Sequence, residues 1–238
     1  TSCDCIDAPR YPRVGKQRHE GRCVNEGKFE SLRAVLPDVS RETFERLLAF
    51  ETLFRDWNSR MNLASPSSLE HLWERHILDS AQLAAIAPMR GVWLDVGSGG
   101  GFPGIVLAVL MGKSSATGEG GHLHLIESTG KKASFLKVAL EAADGCGTVH
   151  QMRSEAASDL ALDPKVVTAR AVAPLPNLLG LTFHWLKRGA KGLFHKGRRY
   201  KDEIAEARGA WRFDLLEHQS KTDAESVILE ISNFSRRL

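Results

Sequence analysis

The stretch Val96-Gly97-Ser98-Gly99-Gly100-Gly101-Phe102-Pro103-Gly104 constrains this 238-residue chain more than any other. It follows an apolar run, Gly91-Val92-Trp93-Leu94-Asp95-Val96, which reads as a buried parallel strand. It leads into Pro103-Gly104-Ile105-Val106-Leu107-Ala108-Val109-Leu110, which reads as a helix with proline in its first turn. Strand, glycine turn and helix N-terminus, in that order, let a nucleotide-like ligand approach the backbone of an α/β protein. A bare strand-to-helix turn would not need four glycines in five positions behind an acidic residue.

Two cofactor patterns overlap here. Gly99-Gly100-Gly101-Phe102-Pro103-Gly104 satisfies G-x-G-x-x-G, the dinucleotide fingerprint, while Asp95 to Gly101 satisfies the D/E-x-G-x-G-x-G pattern of S-adenosylmethionine (SAM) methyltransferases. Register selects the second. The strand ends near Val96, so Gly97 opens the turn, and a dinucleotide motif beginning at Gly99 would start too late. Pro103 also removes an N–H from the helix start, where a pyrophosphate needs donors and SAM, which carries no phosphate, does not.

The chain around this loop divides into three parts: a polar, flexible tail over residues 1–27, a helical cap over 28–90, and a SAM-binding core over 91–238 that forms one compact unit with the cap. In the tail, Cys3, Cys5, His19 and Cys23 match no standard zinc spacing, so no metal is expected and the cysteines read as reduced thiols. In the cap, Ser40 can cap a helix carrying Phe44, Leu47, Leu48 and Phe54, and Pro66 with Ser67-Ser68 marks a turn into further helical pattern that lasts to Pro88. From Val92 strands alternate with helices: strands at Val92–Val96, His122–Ile126, Val149–Met152, Val166–Ala169 and Gly192–His195, and helices at Pro103–Met111, Lys131–Ala143, around Pro176–Leu186 and at Asp202–Arg208. Phe213–His218 and Ser226–Ile231 should close the chain as an antiparallel hairpin. The expected fold is α/β, a Rossmann-like class I methyltransferase: a seven-stranded, mostly parallel, doubly wound sheet with a C-terminal hairpin and an N-terminal helical cap. Lys113–Gly121, rich in glycine and serine, reads as a surface insertion.

Ligands bind beyond the carboxyl ends of parallel strands, which singles out particular side chains. Asp95 would lie near the ligand's amino-acid part or fix the glycine loop. Glu127, after the second strand, can take both ribose hydroxyls of an adenosine, and Ser154-Glu155, after the third, sits where an adenine edge should lie. Arg170, at the end of the fourth strand, faces the reaction crevice. Basic residues gather in the loops of the same edge: Lys131, Lys132, Arg170, Lys196, Arg198 and Arg199, with Arg75 and His76 approaching from the cap. Such a collection suits a phosphate backbone, although a net charge of only +3 permits a nucleic-acid partner without demanding one. There is no P-loop, no His-Glu-x-x-His and no nucleophile elbow; Ala171-Val172-Ala173-Pro174 replaces the Asn/Asp-Pro-Pro-Tyr/Phe motif of amino-group methyltransferases; and no cysteine follows the fourth strand to form a pyrimidine adduct.

Asn62-Leu63, Arg75-His76-Ile77-Leu78-Asp79-Ser80, the loop through Gly-Phe-Pro-Gly, Lys131-Lys132-x-x-Phe135-Leu136, Arg170-Ala171 and Lys196-Gly197 occur in that order. Together they resemble the RsmG (GidB) family of bacterial small-subunit ribosomal RNA methyltransferases, from about Phe29 to the C-terminus. The resemblance implies SAM-dependent methylation at N7 of one guanine in the 530 loop of 16S rRNA. It implies a cytoplasmic, non-membrane protein acting on 16S rRNA or the small subunit, and a monomer. It sets Gly97, Phe102, the Ser154-Glu155 pair and Arg170 at the family's SAM-contact positions; Gly99 and Gly101 belong to the same loop. Guanine N7 has a free lone pair, so the chemistry needs no general base, and Arg170 is the candidate for positioning. The competing readings are a SAM enzyme for another RNA or a small molecule, an NAD(P)-dependent oxidoreductase, and a non-enzymatic ribosome-assembly protein.

Overall fold

The computed structural model describes residues 15–112 and 120–237, with side chains from residue 24 onward. Of the tail expected over residues 1–27, residues 1–14, including Cys3 and Cys5, and the side chains of His19 and Cys23 lie outside the described residues, as do residues 113–119 of the expected insertion. Where a flexible tail was expected through Gly27, the chain is helical from Gly15, because α1 (Gly15–Val35) runs on until its apolar residues Leu32 and Val35 reach the core.

Seven strands form one sheet: β1 (Gly91–Val96), β2 (Gly121–Glu127), β3 (Gly147–Gln151), β4 (Val166–Arg170), β5 (Lys191–Lys196), β6 (Trp211–Gln219) and β7 (Val227–Arg236). Their spatial order is β3-β2-β1-β4-β5-β7-β6. The first five are parallel, with β1 running beside β2 from Gly91↔Gly121 to Val96↔Ile126 and beside β4 at Trp93↔Val166. β7 returns antiparallel between β5 and β6, so the terminal hairpin joins the sheet through its second strand. The order reverses between β2-β1 and β4, which opens the ligand crevice at the carboxyl ends of those strands.

Strand alternation splits the core. Trp93, Leu123 and Leu125 face α6 (Gly104–Met111) and α7 (Gly130–Ala142), while Leu94, Val96, Ile126 and Val167 face α8 (Leu175–Leu186) and α9 (Tyr200–Ala210). Helix α6 is apolar all round because it is covered all round, by the sheet below and α2 (Arg41–Asn58) above. Ser40 caps α2 by accepting from Thr43 N at 3.1 Å. Phe50 and Phe54 of α2 lie in the same cluster as Trp93 and Ile105, so cap and sheet share one core.

After α2 the sequence pattern suggested a turn at Pro66. The structure places Pro66 inside α3 (Pro66–Glu70), capped by Ser65. The following segment is a π-helical turn over Trp73–Leu78, then α4 (Asp79–Ala81) and α5 (Leu83–Ile86). Wide turns of this kind are rare and concentrate at functional sites. This one carries Arg75 and His76 to the rim of the crevice. A 3₁₀ turn, Ser154–Asp159, connects β3 to β4.

Candidate functional site

The glycine loop leaves β1 in three left-handed steps: Gly97 at φ +69°, Gly99 at +54° and Gly101 at +88°. Gly97 and Gly101 are glycine for packing, since a Cβ would come within 2.8 Å of Val172 Cγ2 and 2.6 Å of Ile105 Cγ1 respectively. At Gly99 a Cβ would meet only the Gly97 carbonyl at 3.7 Å, so there the backbone borders open space. The loop is tied to β2: Ser98 N donates to Ile126 O at 2.9 Å and Gly99 N to Glu127 Oε2 at 2.9 Å. Glu127, almost fully buried, also accepts from Thr129 N through Oε1 at 2.7 Å. Each oxygen accepts one N–H, and a carboxylate has about four lone-pair positions, which leaves room for two hydroxyls.

Asp95 lies beneath the loop. It is fully buried and accepts from Thr168 Oγ1 of β4 at 2.8 Å, and its backbone carbonyl accepts from Ser98 Oγ at 3.2 Å. It braces the loop from below, and burial pushes its carboxyl up to about 6. Phe102 packs its ring against Phe50 and Phe54 at 5.3 and 5.1 Å and stacks on His76 at 4.9 Å, which fastens the loop to the cap. Ser154 and Glu155 open the 3₁₀ turn beyond β3, half-buried and exposed respectively.

Beside the loop, over the ends of β4 and β5, lies a cleft of about 540 Å³. Its floor is an ordered polar network. Arg170 Nη2 donates to Arg75 O at 2.9 Å and to His76 Nδ1 at 2.7 Å, and Nη1 lies 3.2 Å from Asp79 Oδ2. His195, on β5, donates from Nε2 to the Asp79 carbonyl at 2.9 Å. Asp79 Oδ1 accepts from Gln82 Nε2 at 2.7 Å and from Thr222 Oγ1 at 3.2 Å. This one residue, through its carboxylate and its backbone carbonyl, therefore joins the cap, β4, β5 and the β6–β7 turn. Burial, then the Arg170 charge, holds His76 down to about 4, and burial also lowers His195, so both rings are neutral near pH 7. After Arg170 the chain turns through Ala171 at φ +55°, a conformation that costs a non-glycine residue about 1–2 kcal/mol, and Val172 to Pro174 then form the cleft wall.

The basic rim is divided. Arg75, Lys131 and Arg199 are exposed and Lys132 is half-buried. Arg198 is exposed but paired with Glu225 of the opposite hairpin turn. Lys196 is a correction: it is buried, donates to Ala173 O at 2.7 Å and pairs with Glu203 Oε2 at 2.8 Å. Glu203 in turn accepts from Leu175 N at the start of α8, so the lysine's charge is consumed inside the fold. The residue-type reading did not single out Asp79, Glu203 or Thr222. Asp79 carried a signal, three residues after His76 in the same motif. Thr222, more than 140 positions away from its partner, carried none. Among the described residues no group of three His, Cys, Asp or Glu is arranged to hold a metal ion.

The model of a family described as rRNA small subunit methyltransferase G matches residues 43–231 of this chain. A ribosomal RNA small subunit methyltransferase G of Brucella anthropi is 54% identical over 211 residues, covering 89% of this chain and 97% of that protein. One from Chelativorans sp. is 52% identical, covering 88% and 98%. Among solved structures, a variant of MtNAS in complex with S-adenosylmethionine superimposes with a TM-score of 0.51 at 16% identity, over 86% of this chain and 83% of that one. Aeropyrum pernix fibrillarin with natively bound S-adenosyl-L-methionine gives 0.50 at 15% identity, over 66% and 75%. These two show the fold.

Proposed function

The chain belongs to the rRNA small subunit methyltransferase G family, and on that premise we propose that it transfers a methyl group from SAM to N7 of one guanine in the 530 loop of 16S rRNA. The observation that carries this reading is a shared wall. Val172, which lines the cleft over β4 and β5, lies so close to Gly97 that the glycine loop and the cleft are neighbouring compartments. One holds a cofactor and the other presents an acceptor to it.

The residues present fit SAM. Gly99 opens onto free space beside a carboxylate with lone pairs to spare, and both features sit at the carboxyl end of the sheet. Glu127 would hold the ribose, Gly97, Gly99 and Gly101 would let the backbone approach, and Ser154 and Glu155 would meet the adenine edge. Asp95 and Phe102 would keep the loop in place from the sheet and from the cap. When bound, the cofactor supplies an already activated methyl group. The chain's task is then to align and to exclude water, and no side chain has to remove a proton. Arg170, pinned by His76 and the Arg75 carbonyl, supplies a fixed positive edge at the boundary between the two compartments. Arg75, Lys131, Lys132 and Arg199 would engage the RNA backbone, with a salt-dependent affinity. An rRNA substrate puts the reaction in the cytoplasm.

The test is mass mapping of N7-methylguanine in small-subunit rRNA from cells with and without the gene, followed by transfer in vitro from labelled SAM. The modified guanine should vanish in the deletion and return with the wild-type chain. Methylation of free metabolites without any mark on the rRNA would overturn the proposal.

A further inference from the structure

The loop after β4, residues 171–174, lines the cleft on one side and touches the glycine loop through Val172 on the other. Its side chains, Ala-Val-Ala-Pro, carry no polar group. What it can give to a reaction across it is therefore shape and the position of its backbone. Ala171 is exposed and Val172 and Ala173 are half-buried, so the loop presents an open surface to the cleft. Little within the loop fixes its position. Ala171 is held at φ +55°, and among the described residues no backbone–backbone hydrogen bond reaches Val172 or Ala173. The tie comes from Lys196, the last residue of β5, whose Nζ donates to Ala173 O at 2.7 Å. Lys196 is buried, and its counter-charge is Glu203 Oε2 at 2.8 Å, an atom that also caps α8 by accepting from Leu175 N.

A buried ion pair is a costly way to hold a loop. Desolvating both charges takes back most of what their attraction gives, and a packed apolar pair is often as good for stability. What an apolar pair does not supply is direction: a charged donor on a short bond to one carbonyl fixes that carbonyl in place. The loop it fixes has little freedom to spare on its far side, where a Cβ on Gly97 would come within 2.8 Å of Val172. Resting on the proposed reaction, we propose that Lys196 is a positioning residue for methyl transfer: through Ala173 O it sets the distance between the wall and the glycine loop, and with it the alignment of acceptor and methyl group. Lys196 thus acts on the reaction through the wall, whereas the exposed cations of the rim act on the RNA backbone.

The test separates position from stability with Lys196→Met, Glu203→Gln and the two combined. For each, Tm is measured, SAM Kd by calorimetry, and kcat and KM for transfer from labelled SAM to small-subunit RNA. Lys196→Met strands a buried carboxylate and should lower Tm by about 6–12 °C. Adding Glu203→Gln removes the stranded charge and should return most of that loss. kcat should not return with it: in both variants it should stay at least about 30-fold below wild type, because a displacement of about 1 Å misaligns the reactants. Glu203→Gln alone keeps an acceptor for Leu175 N and leaves Lys196 on Ala173 O, so kcat should stay within about 3-fold of wild type even where Tm falls. KM for RNA and Kd for SAM should stay within about 3-fold throughout, since neither the rim nor the glycine loop is altered. A kcat that follows Tm across the variants, or is unchanged in Lys196→Met, would overturn the inference. If the combined variant regains no stability, the two single variants decide, because only Lys196→Met breaks the tie to Ala173. Absence of N7-methylguanine on RNA treated with the wild-type chain would instead overturn the proposed reaction.

Discussion

Replacing Glu127 with glutamine changes one atom and tests the link between the loop and the cofactor. The carboxylate is 6% exposed and accepts two backbone N–H groups, from Gly99 at 2.9 Å and Thr129 at 2.7 Å. A glutamine keeps one acceptor, but its amide nitrogen must face the other N–H. Charge-assisted bonds of this kind contribute about 1.5–3 kcal/mol, so losing one and orphaning a buried donor should cost about 2–3 kcal/mol. For a domain of this size each kcal/mol shifts Tm by about 2–4 °C, giving a fall of about 4–12 °C in differential scanning fluorimetry without ligand. The ribose hydroxyls would lose the same charged acceptor, and calorimetry should show SAM Kd rising about 10–100-fold. A lower Tm with unchanged Kd would reduce Glu127 to a brace for the loop. No change in either would refute the reasoning outright, because both N–H bonds would then be worth nothing.

The two kinds of glycine separate fold from ligand. Gly97→Ala combines a left-handed φ with a 2.8 Å approach to Val172 and should destabilise the protein by about 2–3 kcal/mol in urea unfolding. Gly99→Ala meets open space, so it should lose only about 1 kcal/mol yet weaken SAM binding more than tenfold by calorimetry. Asp95, pushed up to about 6 by burial, keeps a proton in the folded state that the unfolded chain releases above pH ~4. Its contribution to stability therefore declines as pH rises from about 4 to about 6, by on the order of 3 kcal/mol. Asp95→Asn should remove that slope from unfolding curves at pH 4.5 and 7; the opposing loss from His76, held neutral down to about 4, is common to both proteins. Lys196→Met should lower stability by on the order of 3 kcal/mol, through the unpaired Glu203, before any effect on RNA. Arg199→Ala should leave stability alone and weaken RNA binding, with a log–log salt slope shallower by about 1 in a filter assay.

Much of the architecture was legible because its causes are local. A strand covered on both faces needs a continuous apolar run, as Val92–Val96 has, and a helix enclosed on all sides needs one too, as Ile105–Val109 has. The left-handed turns demanded glycine at 97, 99 and 101, and the acids ending β1 and β2 stood at predictable positions. Polar residues without a periodic signature were harder. Lys196 looked like part of a basic rim because its neighbours are Arg198 and Arg199. Its β5 position instead turns it inward to Glu203, a residue on another element. Phe102 stood at a cofactor-contact position by resemblance alone; that its ring also packs on Phe50 and Phe54 of α2 had no local signal.

The sequence by itself determined the sheet, the loop and the kind of ligand the loop admits, because hydrophobic periodicity and glycine's backbone freedom act within a few residues. Only the tertiary structure decided the cleft. Asp79 reaches Arg170, His195 and Thr222 across separations of roughly 90 to 140 positions. Whether a histidine nitrogen donates or accepts depends on which partner the folded chain sets against its other nitrogen, and no local pattern of residues encodes that partner.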